Sequence, residues 1–212
     1  MPLADLSRPV ESDMPVYPGD PPVAVEPHAT HDEDGYAVSE LRCGTHTGTH
    51  VDAPSHVLAD GDSLGDFALD QFRFDARRVD CRHRGARDAV TVGDLPVPGG
   101  ADLLVLDTGW ASHWGSDRYR DHPYLSPAAA EWCADRGCGV AVDAFGPDPT
   151  PSPNATEDEP NGFPAHEALL GARLPIVENV CNLDVLPDRF TLHAYPLPVD
   201  ADAAPVRAVA EW

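Results

Sequence analysis

The sequence predicts an α/β fold, because a strand, a helix and a second strand follow one another over residues 101–142. That succession is a crossover unit, which places at least two parallel strands in one sheet. The remaining apolar runs are short and separated by proline and glycine, so most read as strands and only one other segment reads as a helix. With 212 residues the chain is long enough to bury a core without disulfide or metal staples. Neither an internal repeat nor a low-complexity linker marks a second unit, so a single domain over 1–212 is expected.

In chain order, Met14-Pro-Val-Tyr-Pro-Gly-Asp-Pro-Pro22 is dense in turn formers. Residues 23–25 and 38–42 read as strands on either side of an acidic loop at 28–36. A histidine-rich run at 46–56 follows, then a loop at 59–63. Residues 77–81 and the strongly apolar 101–106 are strands. Ser126 as N-cap and Pro127 at the first helical position open a helix that runs to Gly137. A strand resumes at 140–142. The segment 146–164 carries six prolines and is a long loop, of the kind that forms site walls. A short helix at 165–170 ends at Gly171, and strands at 176–180, 190–195 and 206–210 close the chain.

The run His46-Thr-Gly-Thr-His50-Val-Asp52-Ala-Pro-Ser-His56 places three histidines and an aspartate on even positions. In an extended segment all four project to one side. The intervening Thr47, Thr49 and Val51 are β-branched and favour extended backbone. At roughly 3.3 Å per residue a straight run would separate His46 and His50 too far to grip one cation, so bends are expected at Gly48 and Pro54. Imidazole nitrogen together with carboxylate oxygen suits Zn²⁺ or Mn²⁺ better than Ca²⁺ or Mg²⁺.

The chain carries 36 acidic and 14 basic residues, a formal charge of −22, and contains no lysine. Such a surface repels phosphate backbones and anionic lipid, so nucleic-acid and membrane-surface roles are excluded as leading readings. The charge is spread along the whole chain, which fits a solvated acidic shell adapted to high salt. Five cysteines, odd in number and without a Cys-x-x-Cys pair, point to buried free thiols. No targeting segment or membrane-length apolar run is present, so a cytoplasmic protein is expected.

The run at 46–56 resembles the signature His-x-Gly-Thr-His-x-Asp-x-Pro-x-His of the cyclase-family metal hydrolases, which include arylformamidases and isatin hydrolase. Further blocks resemble family positions in family order: Pro15-Val-Tyr-Pro-Gly-Asp20, Thr108-Gly-Trp110, His122-Pro-Tyr-Leu-Ser126, Pro164-Ala-His166, Ile176-Val-Glu-Asn179 and Pro205-Val-Arg-Ala-Val-Ala210. The resemblance implies a mixed β-sheet core with few helices, a swivelling β/α/β-like domain. It also implies two divalent metal ions, Zn²⁺ with Mn²⁺ as the alternative. His46, His50 and Asp52 would bind the first ion, Asp52 would bridge to a second held also by His166, and Glu178 would touch both. A homodimer or higher homo-oligomer, with a neighbouring chain helping to wall the site, is implied in the same way.

By the same resemblance His56 is the catalytic acid/base. It lies beyond Pro54, in phase with the ligands, where it can stand near a metal-bound water without coordinating. A cation lowers the pKa of bound water from 15.7 toward roughly 7, and a histidine titrating in that range can pass a proton to a departing amine. The reaction implied is cleavage of an aryl formamide such as N-formylkynurenine into formate and the free arylamine. Where family formamidases place a substrate-lining tryptophan, this chain has Tyr17, which is smaller and adds a hydroxyl. Hydrolysis of a cyclic amide or lactone, as with isatin, is the alternative enzyme reading; an inactive metal-binding module is the alternative from another class.

A glycine-rich turn expected before the last strand is replaced by Asp200-Ala-Asp-Ala-Ala204, a change expected to leave the chemistry alone. His28 and His31 read as surface or pocket-wall residues, and His83, His113, His122 and His193 as structural or exposed. Asp143 reads as a cap or turn residue, and Trp110, Trp114 and Trp132 as core or interface aromatics. Ser55 lies on the opposite strand face from His56, which argues against nucleophilic catalysis.

Overall fold

A computed structural model describes residues 1–212. The first half of the chain forms β1 (Leu3–Asp5), β2 (Ala24–Ala29), α1 (His31–Asp34), β3 (Val38–Arg42), β4 (His50–Asp52), β5 (Arg73–Asp80), β6 (Ala89–Val90) and β7 (Leu103–Asp107). The second half forms β8 (Tyr124–Leu125), α2 (Pro127–Ala134), β9 (Gly139–Val142), α3 (Pro164–Gly171), β10 (Ile176–Glu178), β11 (Arg189–His193), β12 (Ala203–Pro205) and β13 (Val209–Glu211).

Nine strands make one mixed sheet in the order β1-β13-β11-β5-β7-β9-β10-β4-β12. Its middle, β5-β7-β9-β10, is parallel and its flanks are antiparallel. Every residue of β7 and β9 is buried, as parallel strands covered on both faces require. The crossover predicted over 101–142 is present: β7 leads through β8 and α2 to β9, its parallel neighbour. Ser126 caps α2 by accepting the Ala129 N–H, and Pro127 takes the first position.

Side-chain alternation splits the core in two. Val51, Leu103, Val105, Ala141 and Val177 join one cluster, which loops and short 3₁₀ turns cover. Leu104, Leu106, Val140, Val142 and Ile176 face the other way, against α2 and α3. His50 and Asp52 flank Val51 on β4, so they emerge on the α3 side. β10 pairs antiparallel with β4 and sets Glu178 opposite His50, on that same side.

Four expectations change. The 46–56 run is not one extended ligand face: only His50–Asp52 is strand, because Gly48 takes a left-handed φ of 61° and Pro54 starts a 3₁₀ turn, Pro54–His56. The bends fall at the two predicted residues, but they are sharp enough to end the strand. The strand read at 77–81 spans Arg73–Asp80: its first half alternates exposed Arg73 and Asp75 with buried Phe74 and Ala76, a half-buried strand pattern that the shorter reading omits. The acidic 28–36 stretch is not all loop, since β2 extends to Ala29 and His31–Asp34 makes a helical turn closed by Gly35. Residues 206–210 are not one strand: β12 ends at Pro205 and β13 starts at Val209. No helix is long and apolar enough to cross a membrane.

Candidate metal centre

Two neighbouring strands and one helix deliver the deepest donors. His50 and Asp52 come from β4, Glu178 from β10, and His166 from the first turn of α3, which lies over that face; none is more than 5% exposed. His50 Nε2 lies 3.1 Å from Glu178 Oε2, and His166 Nε2 lies 3.1 Å from Glu178 Oε1 and 3.8 Å from Asp52 Oδ2. The turn at Gly48 swings His46 back over β4, so that His46 Nδ1 faces His50 Nε2 at 3.1 Å and Asp52 Oδ1 at 3.1 Å. Glycine favours this bend, because a Cβ on Gly48 would press on the Met14 methyl at 3.1 Å in addition to the left-handed strain. One donor atom each from His46, His50 and Asp52, and likewise from Asp52, His166 and Glu178, fall within 4.8 Å of one another.

Each of these histidines donates its other ring N–H away from the centre. His50 Nδ1 donates to the Gly48 carbonyl (2.9 Å), His166 Nδ1 to Asp148 Oδ2 (2.7 Å), and His46 Nε2 to Asp202 Oδ2 (3.0 Å). Such outward bonds fix tautomer and ring orientation in metal sites. Asp148 also accepts the N–H groups of Ala165 and His166, so it caps α3 from a distant loop.

The electrostatics call for positive charge. Burial works against charged imidazoles, yet the Asp52 and Glu178 carboxylates overcome it and raise the pKa of His50 well above the ordinary value. Asp148 and Glu178 do the same for His166, which is lifted to about 10. His56 behaves in the opposite way. Its ring centroid lies 4.1 Å from that of His46 and 5.5 Å from that of His166, and burial, reinforced by those two rings, lowers its pKa despite Asp52.

Above the donors opens a cavity of about 220 Å³. Tyr17, Phe145 and Phe163 supply its aromatic walls, and the 146–164 loop contributes Gly146 and Asp148. Tyr17 and Phe145 meet edge to face at 6.2 Å between centroids. A Cβ on Gly146 would come within 2.9 Å of Glu178 Oε1, so glycine keeps the space beside that carboxylate open.

The sequence model of the cyclase family matches residues 4–149. The chain belongs to the cyclase family. Among full-length relatives, the kynurenine formamidase of Salinibacter ruber is 36% identical over 215 residues, covering 99% of this chain and 97% of its own. That of Sphingopyxis alaskensis is 32% identical, covering 97% and 95%. Among solved structures, isatin hydrolase A from Ralstonia solanacearum superposes with a TM-score of 0.87 at 24% identity, over 99% of this chain and 91% of the other, a likeness of fold. A potential metal-dependent hydrolase with cyclase activity gives a TM-score of 0.79 at 27% identity, over 99% and 96%.

The donors of this cyclase-family chain fit a divalent cation. Both oxygens of the fully buried Asp52 carboxylate lack a hydrogen bond, since the ring nitrogens 3.1 and 3.3 Å from Oδ1 are not aligned to make one. A buried carboxylate in that state is costly unless a cation completes it. His46 and His50 turn their remaining nitrogens toward Asp52 on one side and His166 turns its own toward Asp52 and Glu178 on the other, a mixture of nitrogen and oxygen that Zn²⁺ or Mn²⁺ accepts.

All seven residues picked from the sequence, His46, His50, Asp52, His56, His166, Glu178 and Tyr17, line this cavity or lie directly beneath it. Asp148 and Asp202 were missed. Asp148 had one signal: Phe163 stands at the N-cap position of α3 and cannot cap it, so the cap must come from elsewhere. Asp202 lies within the 200–204 replacement, directly before β12: its carbonyl accepts the Ala53 N–H, and its carboxylate reaches the His46 ring and comes within 3.6 Å of His56 Nδ1, so the replacement sets a carboxylate beside the candidate centre.

The remaining candidates are outside the centre. His28 and His31 are exposed, His83 and His193 pair with Asp94 and Glu211, and His113 packs on Trp110. Asp143 is buried and accepts the Thr108 hydroxyl at 2.5 Å; burial leads in raising its pKa to about 6. The five cysteines are unpaired, and four are buried.

Proposed function

We propose that this chain cleaves aryl formamides, with N-formylkynurenine as the substrate of choice, using two divalent cations, zinc or manganese, held by His46, His50, Asp52, His166 and Glu178. The coarser class is a metal-dependent hydrolase acting on carbon–nitrogen bonds, as the full-length kynurenine formamidase relatives indicate. The observation that carries the finer reading is His56: a half-buried imidazole beside the donor cluster, on the floor of an aromatic cavity, with its basicity lowered where every neighbouring histidine is raised.

When bound, a divalent cation supplies Lewis acidity toward a carbonyl oxygen and makes water a stronger acid. The protein does the rest. Tyr17, Phe145 and Phe163 enclose the aryl ring and set its formamide group over the donors. A neutral His56 takes a proton from the attacking water as its oxygen bonds to the formyl carbon. The imidazolium then returns that proton to the arylamine nitrogen as the carbon–nitrogen bond breaks, releasing formate and the free amine. Asp202 faces Nδ1 of His56 at 3.6 Å and favours the imidazolium formed in between.

The test is turnover of N-formylkynurenine by purified protein in molar salt, with isatin in parallel, before and after chelation and with zinc or manganese restored. Formate release that chelation stops and metal restores is expected. Consumption of isatin alone would replace the formamide reading by the cyclic-amide one, and metal binding with neither compound consumed would overturn both.

A further inference from the structure

The chain has no lysine and no arginine lines the cavity, so its only cationic groups are imidazoles. Three carboxylates line it: Asp20, Asp148 and Glu178. Two are already engaged within the fold. Asp148 holds the start of α3 and the His166 ring, and Glu178 sits between His50 and His166. Asp20 stands apart from the donor cluster, on the wall beside Tyr17. The backbone N–H of Asp20 donates to the Tyr17 carbonyl at 3.0 Å, closing a turn through Gly19 that sets both residues on the cavity wall. The phenol registers the neighbour: burial first, then Glu178, Asp148 and Asp20, raise the Tyr17 pKa to about 12.

We propose that Asp20 is a specificity-determining residue, whose carboxylate receives an ammonium group on the side chain of the aryl substrate. The inference rests on the formamide reading and narrows its substrate class. With the reacting group over the donors and the ring between the aromatic walls, a side chain that runs along the Tyr17 wall meets the charge of Asp20. An ammonium there gains a charge-assisted hydrogen bond in a half-enclosed site, while a carboxylate meets a like charge with no guanidinium to offset it. The acidic field of the whole chain acts in the same sense, concentrating cations and repelling anions at the entrance. The centre therefore selects aryl formamides that carry an amine, as N-formylkynurenine does, over those whose only charge is negative.

The variant Asp20→Asn keeps shape and backbone and removes the charge. Steady-state kinetics at one fixed ionic strength would compare N-formylkynurenine, uncharged formanilide and the anion N-formylanthranilate. Asp20→Asn is expected to raise KM for N-formylkynurenine about tenfold with kcat within about twofold, to leave formanilide unchanged and to lower KM for N-formylanthranilate. An equal change in KM for all three substrates, or none for N-formylkynurenine, would overturn the proposal. Calorimetric binding of kynurenine to metal-loaded wild type and Asp20→Asn separates this from failure of the formamide reading. If no formamide is turned over but kynurenine binds about tenfold more weakly to the variant, the ammonium contact stands alone; equal binding, or none to wild type, removes it.

Discussion

The side chains of His50, Asp52, His166 and Glu178 are at most 7% exposed, whereas those of His46, His56 and Asp202 are 16, 28 and 40% exposed. The first group stands on two paired strands and a helix, the second on a turn, a 3₁₀ turn and the bend that leads into the edge strand β12. Strand pairing between β4 and β10 fixes His50 against Glu178 by backbone hydrogen bonds, so the deep donors are placed by the same register that builds the core. His46 and His56 at the mouth are placed by local bends at Gly48 and Pro54. Charge sets His56 apart from both groups: carboxylates raise His50, His166 and also His46, while burial, reinforced by the His46 and His166 rings, lowers His56. The deep donors, joined by His46, are suited to holding cations, and His56 at the mouth to moving a proton.

Breaking the deep half should have the largest effect. Asp52→Asn removes the carboxylate shared by both donor groups, and metal content by mass spectrometry should fall to background together with all turnover. Bound metal stabilises by mass action, about 3 kcal/mol at a hundredfold excess over Kd. Chelation should therefore lower the melting temperature of wild type and leave that of Asp52→Asn unchanged. Equal metal content in both proteins would show that the deep group is not the cation site.

His56→Ala attacks the mouth and should separate the two functions. Loss of a positioned general acid/base costs about 10²- to 10⁴-fold in rate, so kcat should fall by that factor while metal content and the chelation-dependent melting shift persist. Loss of metal in this variant would make His56 a ligand and erase the distinction between the halves.

The two carboxylates behind the ligands give a smaller and sharper comparison. Asp148 is 3% exposed and accepts two helix N–H groups as well as the His166 ring, so Asp148→Ala should cost about 1–3 kcal/mol of stability in metal-free protein. Asp202, 40% exposed, accepts from the His46 ring and the Thr45 hydroxyl, faces His56, and holds no helix N–H group. Asp202→Ala should weaken metal affinity about 10- to 100-fold while leaving the metal-free melting temperature in place. Equal destabilisation by both changes would place Asp202 in the structural class with Asp148.

The same division explains what could be read from the sequence. The central crossover was legible because its signals are local: a Leu-Leu-Val-Leu run, a Ser-Pro helix start and a Gly-Val-Ala-Val return. The run at 46–56 was legible because donors for one cation cluster within eleven residues, and His166 and Glu178 came only through family resemblance. Asp148 and Asp202 were not legible, since each acts on a histidine 18 or 156 residues away. β12 is Ala-Ala-Pro, with no β-branched residue, and exists as a strand only because β4 offers it an edge.

His122 tests whether carboxylates, and not burial, set the deep half apart. It is as buried as His50, but its Nδ1–H donates to the Pro123 carbonyl and its Nε2 accepts the Thr150 hydroxyl, so its partners are neutral. Burial accordingly pushes its pKa down to about 4. Between that value and the ordinary 6.5 the unfolded chain binds a proton that the folded chain refuses, so stability is fully present above pH 6.5 and drains as pH falls toward 4. From pH 7 to pH 5 the loss amounts to about 2 kcal/mol. Asp143, held near 6, acts with the opposite sign, because the folded chain keeps its proton where the unfolded chain has released it. The difference between wild type and His122→Asn cancels that contribution. Denaturant unfolding from pH 4 to 8 should show wild type losing stability on acidification more steeply than His122→Asn, by up to one proton. Parallel curves would mean that burial among neutral partners does not keep His122 uncharged, and would remove the contrast by which Asp52 and Glu178 are assigned the raised pKa of His50.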